Sequence, residues 1–218
     1  MDANQTILKN YYNAVSDLYD GKSTPEQWPV NIHILDALKT YPQQPSTLLD
    51  LGAGTGLTID AVMQSVQLTK VVAVDVADQM LDILEQKHPE LNVECVQDSV
   101  EHFMTTDTRQ FDLITAIGIL DFPADLPTIV SQLGDHLTPS GLALFNYVIP
   151  QKEGQAEMIY PSRAVPGTLM QVHCWKTEEI NAHLQQWGEI LIDKEVPGHT
   201  PSPDIGRMRF HFVAVRKS

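Results

Sequence analysis

Between residues 47 and 149 short apolar runs alternate with amphipathic stretches, and this alternation restricts the fold more than any other feature of the chain. TLLDLG (47–52), KVVAVDV (70–76), NVECVQ (92–97), FDLITAIGIL (111–120) and GLALFNYVI (141–149) are short and mostly apolar, and β-branched residues recur in them. Such runs predict strands buried on both faces. Between them, apolar residues recur at helical spacing. Ile59, Val62, Met63 and Val66 form one stripe, and Leu81 and Leu84 a second that stops before Pro89. Leu126, Ile129, Val130, Leu133 and Leu137 form a third. Asp78 and Asp125 stand where helix N-caps are expected. Strands and helices alternating at these lengths predict an α/β, doubly wound, mostly parallel sheet with helices on both faces.

The flanking segments follow other patterns. Ile7, Tyr11, Val15 and Leu18 share helical spacing up to Asp20-Gly21, and Val30, Ile34, Leu38 and Tyr41 form a second stripe ending near Pro42. Further on, Thr177 with Glu178 and Glu179 starts a helix that turns Ile180, Leu184 and Trp187 inward and stops at Gly188. EILIDKEV (189–196) and MRFHFVAVRKS (208–218) are strands joined by a loop with no room for a crossover helix, so they are expected to pair antiparallel. Two segments, 150–175 and 197–207, fit no regular element. The chain therefore reads as one domain, 1–218, in four parts: helices in 1–45, the alternating core in 46–149, an irregular insertion in 150–175, and a helix with two strands in 176–218.

Composition excludes several classes of function. With 43% apolar residues in 218, the chain can fill a core without disulfides. Cys95 and Cys174 belong to no CxxC pair and read as reduced structural thiols of a cytoplasmic protein. No stretch approaches the roughly 18 apolar residues of a membrane span, and MDANQTILKNYY lacks the pattern of a signal peptide. The 28 acidic and 14 basic residues give a formal net charge of −14, which disfavours nucleic-acid and membrane partners. No cluster of His, Cys, Asp or Glu has ligand spacing, so no metal is expected.

In an open parallel sheet, ligands bind beyond the carboxyl ends of the strands. The first predicted strand runs into Asp50-Leu51-Gly52-Ala53-Gly54-Thr55-Gly56, where alternate glycines let backbone approach a ligand and free N–H groups at a helix start. A dinucleotide fingerprint would need its third glycine at Leu57, and Asp50 would sit badly beside a diphosphate. It suits an ammonium or sulfonium cation instead. Asp75 ends the second strand, where a carboxylate can accept both hydroxyls of a ribose. The third ends in Gln97-Asp98-Ser99, which could read an adenine edge, although Asp-Ser also caps helices. A cation, a ribose and an adenine without a diphosphate describe S-adenosylmethionine.

LDLGAGTG (49–56), VVAVDVADQML (71–81), VQDS (96–99), FDLITAIGILDF (111–122) and LTPSGLALF (137–145) resemble, in order, five motifs of the class I S-adenosylmethionine-dependent methyltransferases of small-molecule type. YYNAVSDLYD (11–20) is similar to the helix that closes over the cofactor in many members. The resemblance covers nearly the whole chain. It implies a Rossmann-like sheet of seven strands, the last antiparallel, beneath an N-terminal helical lid. It also implies roles for particular residues. Asp50, Gly52, Ala53 and Gly54 would line the methionine end, and Asp75 with Val76 would hold the ribose. Met80 would pack on the adenine, whose edge Asp98 and Ser99 would read. Ala116 and Ile117 would border the site, and Tyr12 and Tyr19 would belong to the lid. Two departures stand out. Asp121-Phe122 replaces a histidine pair common in the family, and no Asn-Pro-Pro-Tyr of amino-methylating enzymes is present.

Methyl transfer is an in-line displacement in which the protein chiefly positions and desolvates the reactants. The acceptor is expected to be a small molecule held by segment 150–175, where Tyr160, Arg163, His173 and Trp175 are the candidates. By residue type His173 is the best general base. Two other readings stay open: a domain that binds S-adenosylmethionine without methyl transfer, and a nicotinamide-dependent oxidoreductase.

Overall fold

A computed structural model describes residues 3–22, 30–162, 164–198 and 206–218. Two helices come first, α1 (Ala3–Lys22) and α2 (Val30–Thr40). The alternating core follows as β1 (Thr47–Leu51), α3 (Leu57–Met63), β2 (Lys70–Asp75), α4 (Asp78–Lys87), β3 (Val93–Gln97), α5 (Val100–Thr106), β4 (Phe111–Ala116), α6 (Leu126–Asp135) and β5 (Leu137–Val148). The remainder is β6 (Glu157–Pro161), β7 (Leu169–His173), α7 (Thr177–Leu184), β8 (Gly188–Pro197) and β9 (Arg209–Lys217).

Seven strands form one sheet in the order β3-β2-β1-β4-β5-β9-β8. β1 to β5 run parallel, and β9 is antiparallel to both β5 and β8. The chain moves one way from β1 to β3 and then resumes on the other side of β1 with β4. That reversal opens a crevice at the carboxyl ends of β1 and β4. Successive residues alternate between faces. Leu48, Val71, Ala73, Leu113 and Leu144 meet Ile34, Leu38, Ile59 and Leu84 on one side. Leu49, Val72, Val74, Ile114 and Phe145 meet Phe103, Ile129, Leu133 and Leu184 on the other. Each fully buried Leu or Ile of these layers adds about 1.5–3 kcal/mol of transfer free energy.

The segment expected to be irregular holds a hairpin instead. β6 pairs antiparallel with β7, Glu157 opposite His173 and Pro161 opposite Leu169. Met158, Met170 and Val172 turn into the core while Ile159 and Leu169 face solvent, a period-2 pattern obscured by short strands between prolines and glycines. β4 stops at Ala116 and not at Leu120, because the chain turns at Gly118, with φ 72°, whose N–H donates to Asn146 Oδ1 at 2.8 Å. Asp125 caps α6 as expected. Asp78 does not cap α4: Ala77 occupies that position without a side-chain bond, and the Asp78 carboxylate faces α1. Leu18 is 60% exposed, so the inward face of α1 is carried by Leu8 with Ile7, Tyr11 and Tyr12. Within 197–207, residues 199–205 lie outside the described residues.

Candidate functional site

A cavity of about 250 Å³ lies at the carboxyl ends of β1 to β3. Its walls are Gly52, Val74, Asp75 and Val76, then Asp98 to Glu101, then Ile119 with Phe122 to Ala124 from the loop after β4. Asn4, Gln5 and Leu8 of α1 and Gln171 and His173 of β7 complete the wall.

The glycine loop leaves β1 with φ values of 68°, 53° and 87° at Gly52, Gly54 and Gly56, a left-handed region that side chains disfavour. A Cβ at Gly52 would come within 2.5 Å of Ile119 Cβ, so glycine is needed for the loop after β4 to close down. At Gly54 a Cβ would meet nothing within 4 Å, and the backbone there is bare toward open space. Gly54 N–H donates to Asp75 Oδ2 at 2.9 Å and Ala77 N–H to Asp75 Oδ1 at 2.8 Å. Burial raises the Asp75 carboxyl above its ordinary value, opposed by these backbone donors. Each oxygen keeps a lone pair for a further donor.

Asp50, at 1% exposure, accepts a bond from Thr115 Oγ1 at 2.7 Å through Oδ1. Its Oδ2 is buried without a partner. Desolvation raises this carboxyl to about 7, against the Thr115 bond and with help from the charge of Asp75. A cation placed against Oδ2 would relieve a cost that the protein alone leaves standing.

Asp98 and Ser99 border the cavity, but their bonds narrow the role expected of them. Ser99 N–H donates to Asp98 Oδ1 at 2.8 Å, so it is not free for a ring nitrogen. Ser99 Oγ accepts from His102 N at 3.2 Å and caps α5, the capping alternative realised. Asp98 Oδ2 lies 2.6 Å from His102 Nδ1. The carboxylate retains acceptor capacity on the cavity wall.

Of the other expected residues, Val76 lines the cavity. Asp50, Ala53, Met80, Ala116 and Ile117 are buried, and neither they nor Gly54 border it. Tyr12 and Tyr19 form an aromatic row on α1 with ring centroids 6.2 Å apart, and Tyr12 meets Phe122 edge-on, also at 6.2 Å. Polar contacts fasten α1 over the site. Lys9 Nζ lies 3.0 Å and Asn13 Nδ2 2.8 Å from Asp78 Oδ1. At its far end Asp20 accepts from Thr55 Oγ1, within the glycine loop, and from Lys87 Nζ at 3.1 Å.

On the other wall His173 reaches the cavity, and its N–H donates to the Asp121 carbonyl at 2.7 Å. Tyr160 is half-buried, its phenol pushed up by burial and then by the charge of Asp121. Trp175 does not line this cavity. It borders a separate open depression with Cys174, Lys176 and Arg209. Arg163 lies outside the described residues. Sequence reasoning missed Asn4, Gln5, Leu8, Ile119, Phe122 and Gln171, which come to the cavity only through tertiary packing. Among the described residues no group of three or more His, Cys, Asp or Glu could hold a metal, and no helix is long and apolar enough to cross a membrane.

The glycine loop and strand tips that build this site lie inside residues 48–141, which match a family profile described as a methyltransferase domain. Over that span the chain is similar to S-adenosylmethionine-dependent methyltransferases. Among curated methyltransferases it is 28% identical over 155 residues to malonyl-[acyl-carrier protein] O-methyltransferase of Halalkalibacterium halodurans, covering 67% of this chain and 56% of that protein. It is 25% identical over 154 residues to ubiquinone biosynthesis O-methyltransferase of Coxiella burnetii, covering 66% of this chain and 64% of that one. The chain thus spans about half the length of the first of these relatives. Among solved methyltransferase structures, the N-methyltransferase NodS of Bradyrhizobium japonicum, in complex with S-adenosyl-L-homocysteine, superposes with a TM-score of 0.69 at 14% identity, over 98% of each chain. Magnesium protoporphyrin IX methyltransferase of Synechocystis, with bound S-adenosylmethionine, gives 0.66 at 13% identity over 100% of this chain and 99% of that one. At such identities the likeness establishes the fold: a seven-stranded sheet with its last strand antiparallel.

Proposed function

We propose that this chain transfers the methyl group of S-adenosylmethionine to a small-molecule acceptor. The observation that carries the reading is the unpartnered Oδ2 of buried Asp50, in the strand that leads into the glycine loop where Gly54 leaves open space. Together they fit the ammonium and the close approach of the methionine end. Asp75 would hold the ribose hydroxyls with lone pairs that Gly54 and Ala77 leave free, and Asp98 would accept the exocyclic amine of the adenine. Met80 would support the adenine side from within the core, and Ala116 and Ile117 would shape the floor at the end of β4. Residues 1–45 act as the lid, through Tyr12 and Tyr19, and 150–175 as the acceptor side, through Tyr160 and His173. The bound sulfonium supplies the activated methyl group. The protein's share is to align the acceptor with it and keep water out.

A small acceptor is favoured by an enclosed site between α1 and the β6–β7 hairpin, and by a net charge of −14 that repels polyanions. A cytoplasmic protein is the corresponding proposal for location. The names of the two relatives above share O-methyl transfer but no acceptor, so they point to no single one.

Two measurements test the reading. Calorimetry is expected to show S-adenosylhomocysteine binding and no binding of nicotinamide dinucleotides. Incubation with methyl-labelled S-adenosylmethionine and a small-molecule fraction of a bacterial extract is expected to yield labelled small products. Binding without any labelled product would favour a domain that uses the cofactor only as a ligand.

A further inference from the structure

The loop after β4 carries a second buried carboxylate, held by its own backbone N–H and left with one oxygen that has no partner. Asp121 is 3% exposed and its Oδ1 has no hydrogen-bond partner. Among the described residues no lysine, arginine or histidine side chain forms an ion pair with it. A buried carboxylate oxygen without a partner is costly to maintain, so a structural role explains it poorly.

Its position explains it better. Asp121 lies directly behind the lining residue Phe122, where the loop, α1 and the hairpin come together. Ile119 and Phe122, on either side of it in the loop, line the cavity. Tyr12 of α1 meets Phe122 edge-on. The hairpin reaches it from the third side, through the backbone bond from His173 and through Tyr160 and Cys174. The titratable groups facing it are Tyr12 from α1, Tyr160 from β6 and Cys174 after β7, with Glu157 close to Cys174. All three of the first group are neutral acids that burial holds protonated, which leaves Asp121, and His173 whose backbone N–H bonds the Asp121 carbonyl, as the groups here able to take up a proton. Desolvation raises the Asp121 carboxyl to about 6, a range suited to proton transfer.

We propose that Asp121 is the general base for the acceptor, and that the acceptor presents a hydroxyl or amine rather than a carboxylate. This rests on the methyl-transfer reading above. From a hydroxyl, the O–H proton passes to Asp121 Oδ1 as the oxygen pair forms the bond to the methyl carbon; a neutral amine attacks with the lone pair it already has, and a proton of the ammonium so formed passes to Asp121 Oδ1. The carbon–sulfur pair stays with sulfur, so one sulfonium charge and one carboxylate charge disappear together. An acceptor carboxylate would have no proton to give and would set a second anion against the first. Phe122, Ile119 and Leu8 would hold an apolar body.

The test uses the whole protein and three probes that share an aromatic body: catechol, phenethylamine and phenylacetate. Asp121→Asn is expected to bind S-adenosylhomocysteine within twofold of the original protein. Labelled methyl is expected to reach catechol or phenethylamine and not phenylacetate. On the labelled probe, Asp121→Asn is expected to lower kcat roughly 10²-fold or more with a smaller change in KM, and Asp121→Glu to recover part of the loss. The fall of kcat below pH about 6 should vanish in Asp121→Asn. Transfer to phenylacetate, or to none of the three by protein that binds S-adenosylhomocysteine, overturns the substrate class. Undiminished turnover in Asp121→Asn overturns the base, as does a low-pH limb that survives there and disappears in His173→Gln. Absence of S-adenosylhomocysteine binding in the original protein would instead remove the methyl-transfer reading beneath it.

Discussion

Asp50 ties stability to the occupancy of the site. Its carboxyl ionises near pH 7 in the folded protein against 3.8 in an ordinary setting, so the unfolded chain releases this proton first. The residue's contribution to folding therefore weakens as pH rises from about 4 to about 7 and stays low above that. Asp50→Asn is expected to raise the thermal midpoint at pH 8 by the equivalent of about 1–3 kcal/mol, the scale of a buried group lacking its partner. The gain should shrink at pH 4, and S-adenosylhomocysteine binding should weaken; melting curves at the two pH values with calorimetry check both. The Asp75 carboxyl is raised in the same direction, but its side chain satisfies the N–H groups of Gly54 and Ala77. Asp75→Ala should cost about 2–3 kcal/mol of S-adenosylhomocysteine affinity and also lower the thermal midpoint, as expected when hydrogen bonds to a charged group are lost. Asp75, Asp98 and Gly54 could be singled out because Asp75 ends a strand that periodicity locates and the other two closely follow one. Asp121 was visible only as a departure from a family pattern, since its burial depends on α1 and the hairpin closing from distant parts of the chain. The commitment of Ser99 to a cap was equally hidden, for its residue type serves both roles.

At the scale of elements, α1 and the hairpin both contribute walls of the cavity. Asp20 links the end of α1 to Thr55 in the glycine loop and to Lys87 of α4. Asp20→Ala is expected to speed dissociation of S-adenosylhomocysteine several-fold in stopped-flow displacement, with the thermal midpoint changed little, as for a partly exposed polar contact. Packing is less forgiving between α6 and the turn after α7. A Cβ at Gly134 would approach the Trp187 ring to 2.7 Å, while Trp187 Nε1 donates to Val130 O at 3.1 Å. Gly134→Ala should therefore destabilise the fold by about 1–3 kcal/mol despite alanine's better helix propensity, and denaturant titration measures it. The helices and core strands were legible because their apolar periods span whole elements. The hairpin was not: each of its strands has 5 residues, too few for a period of two to stand out beside Pro161, Pro166 and Gly167.

For the whole molecule, the architecture followed from alternation and from the loop between 196 and 208, too short for a crossover. What the sequence could not show was that the last strand would lie between two others. The absence of metal-ligand spacing leads to a further expectation. Exhaustive chelation should leave methyl transfer and thermal midpoint unchanged, and loss of activity restored by magnesium would contradict it. The placement of β9 has a consequence for synthesis. β5 pairs with β9, and β8 reaches the sheet only through β9. On the ribosome β8 emerges first, with Ile190, Ile192 and Val196 ready to pair and no partner yet made. Until Arg209–Lys217 has left the exit tunnel, β5 and β8 each present an open edge to other nascent chains. The nascent chain is thus most exposed to misassociation just before β9 arrives, after β1 to β5 have already been made.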